Sequence, residues 1–176
     1  AETFYIALML LSFFIVLAPL DRPRAAAPRR ETAPRVDVLV PTYDEDIEIV
    51  ARTLKAATRL DYPSDRLGVV LLDDGGTAEK RADPDPAAAE RATRRAEALR
   101  ELCGLLGVTY LARERNTEAK AGNLNHGLAH TDGDLVVVLD ADHAPLRNFL
   151  AETVGHFAED DRLALVQTPP AFLNDE

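Results

Sequence analysis

Among 176 residues the chain has one cysteine, Cys103. A single thiol closes no internal disulfide and builds no cysteine-based zinc site. It recurs with Leu99, Leu102 and Leu106 at helical spacing, so it is expected as a buried core thiol rather than a nucleophile. Basic charge is not in excess either, because the formal net charge is −10. That balance argues against a nucleic-acid binder, whose footprint is a basic patch. It leaves phosphate ligands open, since a bound metal inverts the local sign. No Gly-x-Gly-x-x-Gly follows the first strand-like run, Val36–Val40, which removes a dinucleotide-dependent dehydrogenase. The phosphate-loop pattern Gly-x-x-x-x-Gly-Lys-Ser/Thr is also missing, which removes that class of nucleotidase. No internal repeat is visible.

What the chain does have begins with a long apolar run. Thr3 to Leu20 contains one polar interior residue, Ser12. Its length is near the lower limit of the roughly 17–25 residues that span a bilayer as a helix. No basic residue precedes it, so a membrane span is a better reading than a secretory signal. Arg22, Arg24, Arg29, Arg30 and Arg35 follow, and positive charge beside a span marks the cytoplasmic side. The expected organisation is therefore a transmembrane helix at 1–20, a basic cytoplasmic linker at 21–35, and an α/β domain at 36–176.

Within the domain, strands and helices alternate. Val36–Val40 reads as a first strand stopped by Pro41, which has no N–H to donate. Asp44 is placed to cap a helix carrying Ile47, Val50, Leu54 and Ala57. Leu67–Leu72 is a second strand, followed by Asp73-Asp74-Gly75-Gly76, where the glycines permit a tight turn and close approach of a ligand. Asp85-Pro86 opens an amphipathic helix that Gly107 ends. Val108–Leu111 is a short third strand. Ala119–His130 reads as helix, with Lys120 in the first turn against the dipole preference, a placement that makes sense if both face a phosphate. Leu135–Leu139 is a fourth strand, Pro145–Phe157 a helix, and Leu163–Gln167 a fifth strand.

Such alternation implies a mainly parallel sheet covered on both faces. The expected strand order is 3-2-1-4, with ligands at the carboxyl ends beside the switch between strands 1 and 4. Thr42-Tyr43, Asp73-Asp74, Lys120 and Asp140-Ala141-Asp142 all fall on that edge. Asp140 and Asp142 leave the fourth strand one residue apart and converge if the extended path continues briefly. Two such carboxylates read either as a solvated acidic turn or as the oxygen ligands of Mg²⁺ or Mn²⁺.

Five segments occur in an order that carries a resemblance: Val36-Asp-Val-Leu-Val-Pro-Thr-Tyr43, Asp73-Asp-Gly-Gly76, Lys120-Ala-Gly-Asn123, Asp140-Ala-Asp-His143 and Val166-Gln-Thr-Pro169. Together they resemble the catalytic subunits of bacterial cellulose synthases, processive family-two glycosyltransferases with the GT-A fold, a Rossmann-like mostly parallel sheet. The resemblance covers essentially the whole chain. It implies that Thr42, Tyr43 and Glu45 line the uridine end of a UDP-sugar and that Asp73 and Asp74 contact the nucleotide. Lys120 is implied at the diphosphate, Asp140 and Asp142 as the catalytic metal pair for Mg²⁺ (Mn²⁺ as the alternative), and His143 as their support. Two positions depart from the pattern: Asp44 stands where Asn is usual, and Glu118 where His often stands.

The implied reaction transfers glucose from UDP-glucose to a growing β-1,4-glucan at the bacterial inner membrane, with the domain cytoplasmic and an accessory synthase subunit as partner. The attacking hydroxyl needs a general base. In the family that base lies in a Thr-Glu-Asp motif, and a Gln-x-x-Arg-Trp motif holds the acceptor; neither occurs here. The chain is thus expected to be a fragment holding the donor half of the site, inactive by itself. Three rivals share parts of the pattern. A chitin- or hyaluronan-type or non-processive transferase shares the donor chemistry. An aspartate-nucleophile phosphatase shares Asp-x-Asp, though it usually continues with Thr or Val where His143-Ala144 stands here. A membrane-tethered nucleotide-binding module without turnover is the non-enzyme reading.

Overall fold

The structure, a computed structural model, describes residues 2–17 and 24–169. Its sheet has four parallel strands in the order β3-β2-β1-β4. They are β1 (Val36–Thr42), β2 (Leu67–Asp73), β3 (Thr109–Leu111) and β4 (Leu135–Val138). The helices are α1 (Glu2–Leu17), α2 (Ile47–Ala57), α3 (Ala78–Arg81), α4 (Pro86–Leu106), α5 (Ala119–Leu128), α6 (Phe149–Thr153) and α7 (Gly155–Glu159). The expected strand order is the one found, and it puts β1 in the centre with every residue buried.

Alternate side chains of the central strands feed two cores. On one face Val36, Val38, Val40 and Leu71 pack with Val50, Leu54 and Ala57 of α2, Leu99 and Cys103 of α4, and Leu150 of α6. On the other, Leu39, Val70 and Leu72 meet Leu124 of α5 and Leu111. Cys103 is buried as expected, and burial pushes its thiol up to about 12, far from thiolate chemistry. Helix α4 carries its expected ends: Asp85 Oδ1 accepts from Ala87 N at 3.0 Å, and Gly107 closes it in the left-handed region at φ 69°.

Pro41 does not stop β1. The strand continues to Thr42, with Pro41 opposite Leu72 and Thr42 opposite Asp73. Leu39 directs its carbonyl to Leu139 N of the β4 chain at 3.1 Å. Pro41, two residues on, faces the same side beyond the end of β4, so its missing N–H breaks no ladder. The cap of α2 is Asp46, which accepts from Glu48 N at 3.0 Å, not Asp44. Leu163–Gln167 forms no strand: it is irregular, and Leu165 is exposed. Apolar composition makes a strand only where a neighbouring edge supplies hydrogen bonds, and this segment pairs with none. The expected helix at Pro145–Phe157 is two short pieces. They break beside Gly155, where an added Cβ would lie 2.1 Å from Ala26 O.

Helix α1 is apolar all round and exposes Phe4, Phe13, Phe14 and Leu17. At 1.5 Å per residue its sixteen residues extend about 24 Å, short of a bilayer's roughly 30 Å apolar core. Among the described residues no helix is long and apolar enough to cross a membrane. The last part of the apolar run, 18–20, and Arg22 lie outside the described residues. Residues 24–35 run along the domain: Tyr62 Oη donates to Pro34 O at 2.7 Å, and Arg66 to Ala33 O at 2.6 Å.

Candidate active site

Three loops and one helix start meet at the carboxyl edge of the sheet. They surround a cavity of about 590 Å³, within the usual range for small-molecule pockets. Its wall includes Thr42, Tyr43, Glu45, Asp74, Lys120, Asp140 and Asp142, so seven of the eight expected site residues are brought together. The eighth, Asp73, is wholly buried behind the wall.

The loop after β1 is folded by its own glutamate. Glu45 Oε2 accepts from Thr42 Oγ1 and Tyr43 N, both at 2.7 Å, and from Asp44 N at 3.2 Å. Burial works to raise the Glu45 pKa, but these hydrogen bonds outweigh it and hold the carboxyl below its ordinary value. Arg95 of α4 braces the same loop, donating to Glu45 O at 2.6 Å and Thr42 Oγ1 at 3.0 Å. Tyr43 is left half-exposed, with Lys80 Nζ 3.5 Å from its ring centroid.

The loop after β2 is organised from below. Asp73 accepts from Tyr110 Oη at 2.8 Å and from Gly75 N at 2.9 Å. Desolvation dominates and raises its pKa despite those bonds. Asp74, also buried, is clasped by Arg113 through two bonds, Nε to Oδ1 at 2.7 Å and Nη2 to Oδ2 at 2.8 Å. Gly75 and Gly76 make no left-handed turn; what approaches them closely is the protein. A Cβ on Gly75 would lie 2.0 Å from Tyr43 O, and one on Gly76 2.4 Å from Asp73 Oδ2. The pair lets the β1 and β2 loops lie against each other.

The third loop is the Asp140–His143 segment. β4 ends at Val138, and the chain turns rather than continuing extended, with His143 N bonded to Asp140 O at 2.9 Å. Ala141 is buried, and its carbonyl accepts from Thr53 Oγ1 at 2.8 Å, which pins the turn to α2. Convergence therefore comes from the turn. One ligand atom each from Asp140, Asp142 and His143 lies within 4.8 Å of the others. His143 Nδ1 is 3.7 Å from Asp140 and its Nε2 3.8 Å from Asp142, so the imidazole stands with the pair. Lys120 at the start of α5 bonds Asp140 Oδ1, and that bond holds the Asp140 carboxyl below its ordinary value against desolvation.

The residues that sequence reasoning passed over are the braces: Arg95 and Tyr110, half-buried, and Arg113 and Asn123, buried. Asn123 stands in the Lys120-Ala-Gly-Asn123 segment, and its Nδ2 donates to Leu72 O at 2.9 Å, locking α5 to β2. Its place in a quoted motif was a signal. The arginines and Tyr110 offered none, since each braces the site through a partner 37 to 53 residues away in the chain.

The profile of a family described as Glycosyl transferase family 2 matches residues 37–176. Cellulose synthase 1 of Komagataeibacter xylinus is 38% identical over 177 residues, covering 100% of this chain and 10% of its own length. The cellulose synthase catalytic subunit (UDP-forming) of Pseudomonas fluorescens (strain SBW25) is 39% identical over 178 residues, covering 100% of this chain and 22% of its own. This chain thus spans a tenth to about a fifth of the length of these relatives. Among solved structures, the mannosyltransferase PcManGT from Pyrobaculum calidifontis, in complex with GDP-Man and Mn²⁺, is similar at 33% identity and a TM-score of 0.56. That match covers 85% of this chain and 39% of the other.

Proposed function

Because the chain belongs to glycosyltransferase family 2, we propose that it is the donor-binding part of a membrane synthase that transfers glucose from UDP-glucose to a growing β-1,4-glucan. One observation carries the reading. The cavity wall bears four carboxylates, Glu45, Asp74, Asp140 and Asp142, against the single ammonium of Lys120. Asp74 is neutralised by Arg113, and Glu45 is turned into its own loop. Lys120 meets Asp140, so the Asp140–Asp142 pair together with its one ammonium keeps a net negative charge. An anionic diphosphate is repelled from that edge unless a cation is held there, and hard oxygen donors suit Mg²⁺ or Mn²⁺. The neighbouring His143 nitrogen is compatible with Mn²⁺ as well. When bound, the ion supplies Lewis-acid stabilisation of the departing diphosphate.

The remaining roles belong to side chains. Lys120 faces the diphosphate and stabilises charge growing on the leaving group. Thr42, Tyr43 and Glu45 form the wall for the uridine end. Asp74 holds the back of that wall, and Asp73 acts on the nucleotide through the Gly75–Gly76 turn that it orders. The general base and the residues that hold the glucan acceptor are assigned to a longer protein; the relatives are several times this chain's length. The test is a donor competition on the intact protein. UDP-glucose is expected to displace bound UDP more effectively than UDP-N-acetylglucosamine or GDP-mannose. Preference for an N-acetylated sugar would move the protein to a chitin- or hyaluronan-type synthase, and preference for GDP-mannose to a mannosyl transfer.

In the same reading, residues 1–20 anchor the protein in the bacterial inner membrane, the segment 21–35 leaves it on the cytoplasmic side, and an accessory subunit completes the synthase. The exposed aromatic and aliphatic side chains all round α1 support an apolar surrounding. The intact protein is expected in the membrane pellet after alkaline wash. Its recovery in the aqueous supernatant would remove the anchor.

A further inference from the structure

Beyond neutralising Asp74, the buried Arg113 has no role assigned above, yet it makes five side-chain hydrogen bonds at the sheet edge. The Asp74 and Arg113 side chains are only 5% and 8% exposed. Beyond its fork on Asp74, the guanidinium gathers the loop that follows β3. Nη1 donates to Thr117 O at 2.6 Å, and Nη2 reaches Asn116 Oδ1 and Ala119 O, each at 2.9 Å. The loop closes through Glu118 and Ala119 at φ 60° and 45°, a left-handed conformation that side-chain-bearing residues hold only where their surroundings impose it. The next residue is Lys120, whose ammonium reaches Asp140. Gly122, one turn further, lies against the same group: an added Cβ would be 2.1 Å from Thr117 O and 2.6 Å from Arg113 Nη1. The position of Lys120 relative to Asp140 is thus referenced to the end of β2 through one guanidinium.

We propose that Arg113 is a positioning residue for Lys120: anchored on Asp74, it holds the 116–119 loop in the strained form that aims Lys120 at the donor's diphosphate. The inference rests on the reading that Lys120 meets that diphosphate. Arg113→Lys keeps the charge but cannot reproduce a fork to Asp74 and three further acceptors at once. Gly122→Ala pushes the loop off the guanidinium without altering any residue of the cavity wall.

The experiment measures affinities of the intact protein for UDP and for uridine in saturating Mg²⁺. It compares wild type, Lys120→Ala, Arg113→Lys, Gly122→Ala and the Arg113→Lys/Lys120→Ala double variant. Lys120→Ala is expected to lower the preference for UDP over uridine by about tenfold or more, the scale of a lost hydrogen bond to a charged group. Arg113→Lys is expected to lower the preference by a similar factor with uridine affinity within about twofold of wild type. The double variant is expected to lose no more than Lys120→Ala alone. If Arg113→Lys weakens UDP and uridine alike, or the two losses multiply in the double variant, Arg113 does not act through Lys120 and the inference falls. If Lys120→Ala keeps the preference, the diphosphate reading of Lys120 fails, and the inference fails with it by a separate signature. Should Arg113→Lys not fold, Gly122→Ala decides: a lowered preference with uridine affinity intact supports the inference, and an unchanged preference overturns it.

Discussion

Asp140→Asn is expected to reduce sugar transfer by the intact protein by about two to three orders of magnitude, the scale of losing one preorganised electrostatic contact in a transition state. Asp140 has two roles at the edge. It shares the Asp140–Asp142–His143 cluster and also receives Lys120. The substitution is nearly isosteric, and the backbone turn that places the segment uses Asp140 O and Ala141 O, neither of which changes. Folding is therefore expected to persist while both the cation and the lysine lose their counter-charge. Initial rates with radiolabelled UDP-glucose, alongside thermal melts, separate the two effects. Transfer within about threefold of wild type would remove Asp140 from the machinery.

The largest expected effect on stability comes from Asp74→Ala. It strands the Arg113 guanidinium, buried, without its fork partner. Breaking a buried pair from one side costs about 3–5 kcal/mol. For a domain of this size that corresponds to a fall of roughly 6–20 °C in the thermal midpoint. The loss exceeds that for an exposed pair because water cannot replace the missing carboxylate. By comparison, removal of Asp132, whose bond to Arg35 is open to solvent, is a reference expected within about 1 kcal/mol of wild type. A melt of Asp74→Ala no lower than that of Asp132→Ala would contradict the account of the pair.

The strand order was legible because three of the four strands are short apolar runs followed by charged or small residues, and connections of this kind have one handedness. The same reasoning overreached at Leu163–Gln167, where the composition is right but the segment pairs with no strand among the described residues. Pro41 was misjudged because its tolerance depends on where β4 ends, a fact about another strand. Asp46, not Asp44, is the helix cap because α2 begins at Ile47, which puts Asp46 immediately before it, within reach of Glu48 N. At the site, residues presented by strand ends were readable from order alone. The Arg95, Tyr110 and Arg113 braces were not, because each acts on a partner distant in sequence, and no local pattern distinguishes a bracing arginine from a solvated one.

The central claim is that Asp140 and Asp142 admit a diphosphate only with a divalent cation. It is tested most directly by calorimetric titration of UDP into the intact protein with Mg²⁺ or Mn²⁺, with EDTA, and with Asp142→Asn in each condition. The account expects binding that weakens by at least about tenfold on adding EDTA, and an Asp142→Asn variant that binds weakly with metal and is indifferent to the chelator. Equal UDP affinity with and without metal, in both wild type and variant, would contradict it.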